Sequence, residues 1–236
     1  MHLVKRGIAV HVLAGVLAAA GGWSLGAAPA RAGSGFPLDI RCDARNVVVR
    51  SPSRADALIS CGGAQAAIGF LASQGLDGTD DIAIEVVPKL PDVVSASAAG
   101  CFMESEQRVL IRTYSEFRKL KSWFGIPIDR SLYRSLVSHE VAHSVAARNF
   151  KVPHPPIPAK EYIAYITMFS TMAPAQRERV LRRFPGEGFQ GDWQMSTTIY
   201  LFDPMRFGVQ AYRHFLKPAN GRDYLHAILA GKAIVE

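Results

Sequence analysis

From Arg130 to Asn149 the chain has neither proline nor glycine, and Leu132, Leu136, Val137, Val141 and Val145 recur at the spacing of an apolar helical stripe. Asp129, two residues after Pro127, supplies an N-cap. The helix must end near Phe150. Beyond it the prolines of Lys-Val-Pro-His-Pro-Pro-Ile-Pro lack amide donors and restrain their predecessors. A new helix then begins within Ala-Lys-Glu-Tyr-Ile-Ala-Tyr-Ile-Thr-Met-Phe, with Glu161 in its first turn, and runs to about Met172.

Upstream the period changes. Asn46–Arg50 (Asn-Val-Val-Val-Arg) reads as a short strand of β-branched residues. Ser51-Pro52-Ser53 opens a helix, with Asp56 three residues after Ser53 in a capping-box-like start and Gly75 as its stop. Ile82–Val87 is a second strand, ended by Pro88. Ala98–Met103 and Arg108–Thr113 form a hairpin across Glu-Ser-Glu-Gln. Residues 173–236 read as mostly helical, broken at Pro185-Gly186, Gly191, Asp203-Pro204 and Pro218–Gly221. Their amphipathic runs Pro204–Phe215 and Asp223–Leu229 are expected to pack beneath the 130–149 helix. The fold class is therefore α+β: a small mixed-sheet lobe over about 40–127, the helix 130–149, and a mostly helical lobe over 156–236. No internal repeat is present.

The first 32 residues alter this picture by removing themselves from the domain. Lys5 and Arg6, an apolar run from Gly7, and Ala30-Arg31-Ala32 have the composition of a secretory signal peptide cleaved after Ala32. The competing reading is an uncleaved anchor, because Gly7–Ala30 carries no Asp, Glu, Lys or Arg. The Gly21-Gly22 break and the small-x-small ending favour cleavage, leaving residues 33–236 as one exported domain with no other stretch able to span a membrane. Cys42, Cys61 and Cys101 then lie where disulfides persist; one bridge and one leftover thiol are expected, with 42–61 the most local pairing. The net charge of +7 falls to +4 once Lys5, Arg6 and Arg31 leave. That is too small for a nucleic-acid surface, and the basic run Arg177, Arg179, Arg182, Arg183 reads as a solvated helix face.

The chemistry sits at residues 139–143, His-Glu-Val-Ala-His. Residues four apart share a helical face, so His139 and His143 can offer two imidazole nitrogens to one metal ion, with Glu140 beside any water it carries. Zinc held in this way lowers the pKa of its water to about 7, and the carboxylate can take the proton. A catalytic zinc needs a third protein ligand and an open fourth position. His154, in the proline-rich loop, and Glu161, on the next helix, both qualify; a ligand on a regular element is better held, which favours Glu161. Imidazole and carboxylate also suit other divalent ions.

An HExxH helix followed by a second helix donating a glutamate resembles the gluzincin branch of the zincin metalloproteases, which includes thermolysin and the zinc aminopeptidases. The resemblance covers about residues 128–172. It implies that His139, His143 and Glu161 hold one zinc ion and that Glu140 is the general base for hydrolysis of a peptide or protein substrate. It also implies a cleft-rim strand before the active helix, here Ala98–Met103, whose free edge pairs with extended substrate. Gly100-Cys-Phe-Met-Glu104-Ser is similar, with one extra residue, to the Gly-x-Met-Glu-Asn sequence with which zinc aminopeptidases grip a substrate amino terminus. Two features depart from the pattern. Tyr165 stands where thermolysin-like members carry a carboxylate that supports a ligand histidine. For the oxyanion-stabilising group, Tyr200, Tyr212 and His214 are all available and no motif selects among them. The expected function is an exported zinc metallopeptidase; the alternatives are a zincin-fold envelope binding or assembly protein with a non-catalytic metal site, and a zinc hydrolase acting on another bond.

Overall fold

A computed structural model describes residues 38–43, 46–78 and 81–234. The expected signal peptide over residues 1–32 lies outside the described residues. The chain is a mixed α+β fold. Its strands are β1 (Leu38–Arg41), β2 (Val47–Ser51), β3 (Ile82–Val87), β4 (Gly100–Met103), β5 (Arg108–Arg112), β6 (Ser122–Trp123) and β7 (Ile126–Pro127). Its helices are α1 (Arg54–Ser73), α2 (Tyr114–Arg118), α3 (Arg130–Asn149), α4 (Ile157–Thr171), α5 (Pro174–Arg183), α6 (Thr197–Phe202), α7 (Pro204–Phe215) and α8 (Gly221–Leu229).

The five-stranded sheet has the order β1-β2-β3-β5-β4. β2, β3 and β5 run parallel, while β1 and β4 pair antiparallel at the two ends. The parallel centre follows from the crossover through α1, since parallel neighbours need a long connection. Val47, Val49, Ile82, Ile84, Val86, Val109 and Ile111 are buried on it, which matches the near-continuous β-branched composition of covered strands. The hairpin of β4 and β5 forms as expected, with Gly100 opposite Ile111 and Met103 opposite Arg108, and a 3-10 turn at Glu104–Glu106 between them.

α1 lies along α3, α3 along α4, and α4 against α7. The α1–α3 crossing is close because Gly63 faces the Arg134 carbonyl, where an added Cβ would come within 2.8 Å, and Ser138 Oγ donates to the Gly63 carbonyl at 2.9 Å. α3 starts on Asp129, whose side chain accepts from the Leu132 amide at 2.8 Å, and it ends at Asn149 before the prolines.

Several expectations need correction. β1, α2 and the β6–β7 hairpin are additional elements. α4 begins at Ile157, so Glu161 sits in its second turn rather than its first. α7 packs on α4 instead of beneath α3, and α8 packs on α7. Ser53 caps α1 by accepting from the Asp56 amide, but Asp56 completes no box; it accepts from the Tyr114 amide at 3.0 Å and ties α1 to the start of α2. By length and a mean hydropathy of 1.3, α1 is also apolar enough to cross a membrane. In this fold it is a core helix, with Ala57, Ala64, Ala67 and Leu71 fully buried together with the polar Ser60. The disulfide joins Cys42 to Cys61, fastening β1–β2 to α1, and leaves Cys101 buried and free.

Candidate metal centre

The two histidines project from the middle of α3, one turn apart, onto the side that faces α4. Their Nε2 atoms are 3.3 Å apart. Glu161, from α4, brings Oε2 to 3.5 Å from His139 Nε2 and Oε1 to 3.6 Å from His143 Nε2. Ligand atoms held about 2.0–2.2 Å from a common zinc at tetrahedral angles lie about 3.3–3.6 Å from one another. The imidazole pair and the contact of each imidazole with Glu161 fall in that range; the two contacts end on different Glu161 oxygens, so the carboxylate spans the pair. Glu140 also lies near, with one carboxylate oxygen and the two imidazole nitrogens all within 4.8 Å of one another. Glu140 thus shares a cluster with the histidine pair, and Glu161 faces that pair from α4.

The donor set fits a cation for a second reason. His139, Glu140 and Glu161 are essentially inaccessible, and His143 is 8% exposed. Both oxygens of Glu161, Oε1 of Glu140 and Nδ1 of His139 lack a hydrogen-bond partner among the described residues. Tyr200 from α6 interacts with the Glu161 carboxylate. Two buried carboxylates with orphaned oxygens are costly unless a positive charge joins them.

Burial also sets the protonation states. It drives the His139 imidazole down to about 3 and that of His143 to about 4, the latter against the opposing pull of Glu161. Both rings are therefore neutral at physiological pH, the form that ligates metal. Burial, reinforced by Glu161, pushes the Glu140 carboxyl well above its ordinary value. Burial raises Glu161 as well, opposed first by His143 and then by Tyr200.

The other residues singled out in the sequence divide clearly. His154 is exposed on its loop and is not part of the buried His139–Glu140–His143 cluster. Tyr165 packs its ring against His139, 4.6 Å between centroids, and so orients by contact where the thermolysin-like pattern uses a hydrogen-bonded carboxylate. Gly208 of α7 permits this, since a Cβ there would meet the Tyr165 ring at 2.5 Å. Of the three oxyanion candidates, Tyr200 reaches the centre. Tyr212 stacks near Phe169 and Arg177, and His214 Nδ1 bonds the Tyr162 hydroxyl at 2.8 Å. Glu104 lies just beyond β4 and faces Lys160 of α4 at 3.9 Å. β4, like β1, is an edge strand of the five-stranded sheet, and its second edge is unpaired among the described residues. The tyrosine contacts join segments far apart in the chain, and no local pattern announced them.

Residues 47–236 match DUF6639, a family of unknown function, and the chain belongs to that family. No curated protein and no solved structure matches the chain.

Proposed function

We propose that the protein is an exported zinc-dependent hydrolase of peptide bonds, zincin-like in architecture and gluzincin-like in its ligand set. The observation that carries this reading is the His139–His143 pair, with Nε2 atoms 3.3 Å apart, faced by the two Glu161 oxygens at 3.5 and 3.6 Å, with a second buried carboxylate, Glu140, on the same helix turn as the histidines. A purely structural zinc closes all four positions with protein ligands and needs no neighbouring base. Export is supported by the Cys42–Cys61 bridge, which persists only in an oxidising compartment.

When bound, zinc supplies Lewis acidity and an acidified water. Neutral His139 and His143 donate imidazole lone pairs, and Glu161 contributes negative charge. Glu140 takes a proton from the attacking water onto its carboxylate and returns it to the departing amine. The free edge of β4 aligns an extended peptide through main-chain hydrogen bonds. Tyr200 is the phenol placed to donate to developing negative charge, its proton held by burial and by the Glu161 charge.

A second reading, a binding or assembly protein with a non-catalytic metal, is favoured by the depth of the site, where the most accessible group is His143 at 8%. Glu140→Gln separates the two. The peptidase reading expects zinc to be retained and cleavage of a peptide library to fall by orders of magnitude. Undiminished cleavage by this variant contradicts the general-base role, and the absence of cleavage by zinc-loaded wild type supports the binding protein.

A further inference from the structure

β4 passes so close to α3 that a Cβ built on Gly100 would lie 2.7 Å from Glu140 Cγ, 3.0 Å from its Oε1 and 3.1 Å from its Cδ. Heavy atoms at those separations cannot coexist without displacement. Glycine is not needed here for its backbone, because Gly100 is a regular strand residue opposite Ile111 and is absent from the positive-φ positions. The three heavy atoms nearest to a Cβ at position 100 all belong to the side chain of Glu140. Glu140 has little room to yield, being 1% exposed and bounded by His139 and His143 of its own helix. The neighbouring Cys101 points to the opposite side of the strand, into a small cluster with Leu90, Val94, Ala98 and Leu110.

We propose that Gly100 is a positioning residue for the Glu140 carboxylate, the missing side chain at 100 being what lets Glu140 keep its rotamer beside the His139–His143–Glu161 set. The catalytic half of this statement rests on the peptidase reading above; the contact itself does not. A methyl group at 100 turns Glu140 out of line while leaving the three ligands in place. The residue that shapes the base therefore lies 40 positions upstream on the rim strand, and it couples the strand that aligns substrate to the group that moves the proton.

The test has two arms. In metal-free protein, thermal unfolding is followed for wild type, Gly100→Ala, Glu140→Ala and the double variant. Gly100→Ala is expected to lower Tm by roughly 2–10 °C, the consequence of overpacking in a domain of this size. In the Glu140→Ala background, which lacks all three of those nearest atoms, the same substitution is expected to shift Tm by no more than a degree or two. A single variant that fails to fold, rescued by Glu140→Ala, supports the contact equally. Equal losses in both backgrounds overturn the proposal. In zinc-loaded protein, Gly100→Ala is expected to keep one zinc and near-normal KM while kcat falls about a hundredfold. A wild-type kcat in Gly100→Ala overturns the positioning role. Zinc-loaded wild type that cleaves nothing removes the peptidase reading and the catalytic half, and leaves the stability coupling to stand or fall by itself.

Discussion

Replacing Glu161 with Met should stabilise the metal-free protein and destabilise the zinc-loaded one relative to wild type. The Glu161 carboxylate is completely buried, and neither oxygen has a hydrogen-bond partner among the described residues. A buried acceptor left unsatisfied costs about 1–3 kcal/mol. Met fills a similar volume with polarizable apolar atoms, and a swap of that kind is well tolerated in cores. The lost contact with Tyr200 takes back about 1 kcal/mol, so the net gain in metal-free protein is about 0–2 kcal/mol. For a domain of this size that corresponds to a rise in Tm of up to about 8 °C. Zinc acts in the opposite direction. Free metal at a hundred times its Kd stabilises the wild type by about 2.7 kcal/mol, or roughly 5–11 °C, and the Met variant, short of one ligand, should show little of that shift. The order of the two proteins therefore reverses between chelator and zinc. Scanning calorimetry in each condition reads both numbers. A Met variant less stable than wild type in chelator, or one with an undiminished zinc shift, refutes the reasoning.

Two further predictions concern the scaffold. Cys42→Ser opens a loop with a sequence separation of 19 and should cost about 3 kcal/mol in denaturant unfolding, with no further loss when reductant is added. The buried imidazole of His214 is held down to about 4 by burial and by Lys217, against the pull of Asp192. Above its unfolded value of about 6.5 both states are neutral. As pH falls from there toward 4, the unfolded chain takes a proton that the folded one refuses, so stability is lost through that window. His214→Gln should make that loss shallower, and an unchanged slope in urea titrations at pH 7, 5.5 and 4.5 contradicts the assignment.

How much of this was legible in the sequence depended on the range of the forces involved. α3 and α7 have the expected limits because their caps and stops are local: Asp129 and the prolines for one, Asp203-Pro204 for the other. β3 matches its β-branched run from Ile82 to Val87. The β6–β7 hairpin is only two residues a side and turns through Phe124 and Gly125, at φ 51° and 68°; the aromatic gives no turn signal. β1 is four residues long and takes its strand character from pairing with β2. In the candidate site, the His139–His143 face followed from helical spacing, and Glu161 followed from its placement on a regular helix. The approach of Tyr200 to Glu161, the packing of Tyr165 on His139 and the contact of Gly100 with Glu140 are tertiary. They depend on how α6 meets α4 and how α4 and β4 meet α3, which no periodicity encodes.

Whether His139, His143 and Glu161 hold a metal is decided by the zinc content of the purified protein and of its His143→Ala and His154→Ala variants. About one zinc per chain is expected in the wild type and in His154→Ala, and almost none in His143→Ala. A metal-free wild type, or zinc that survives His143→Ala, would contradict that ligand set.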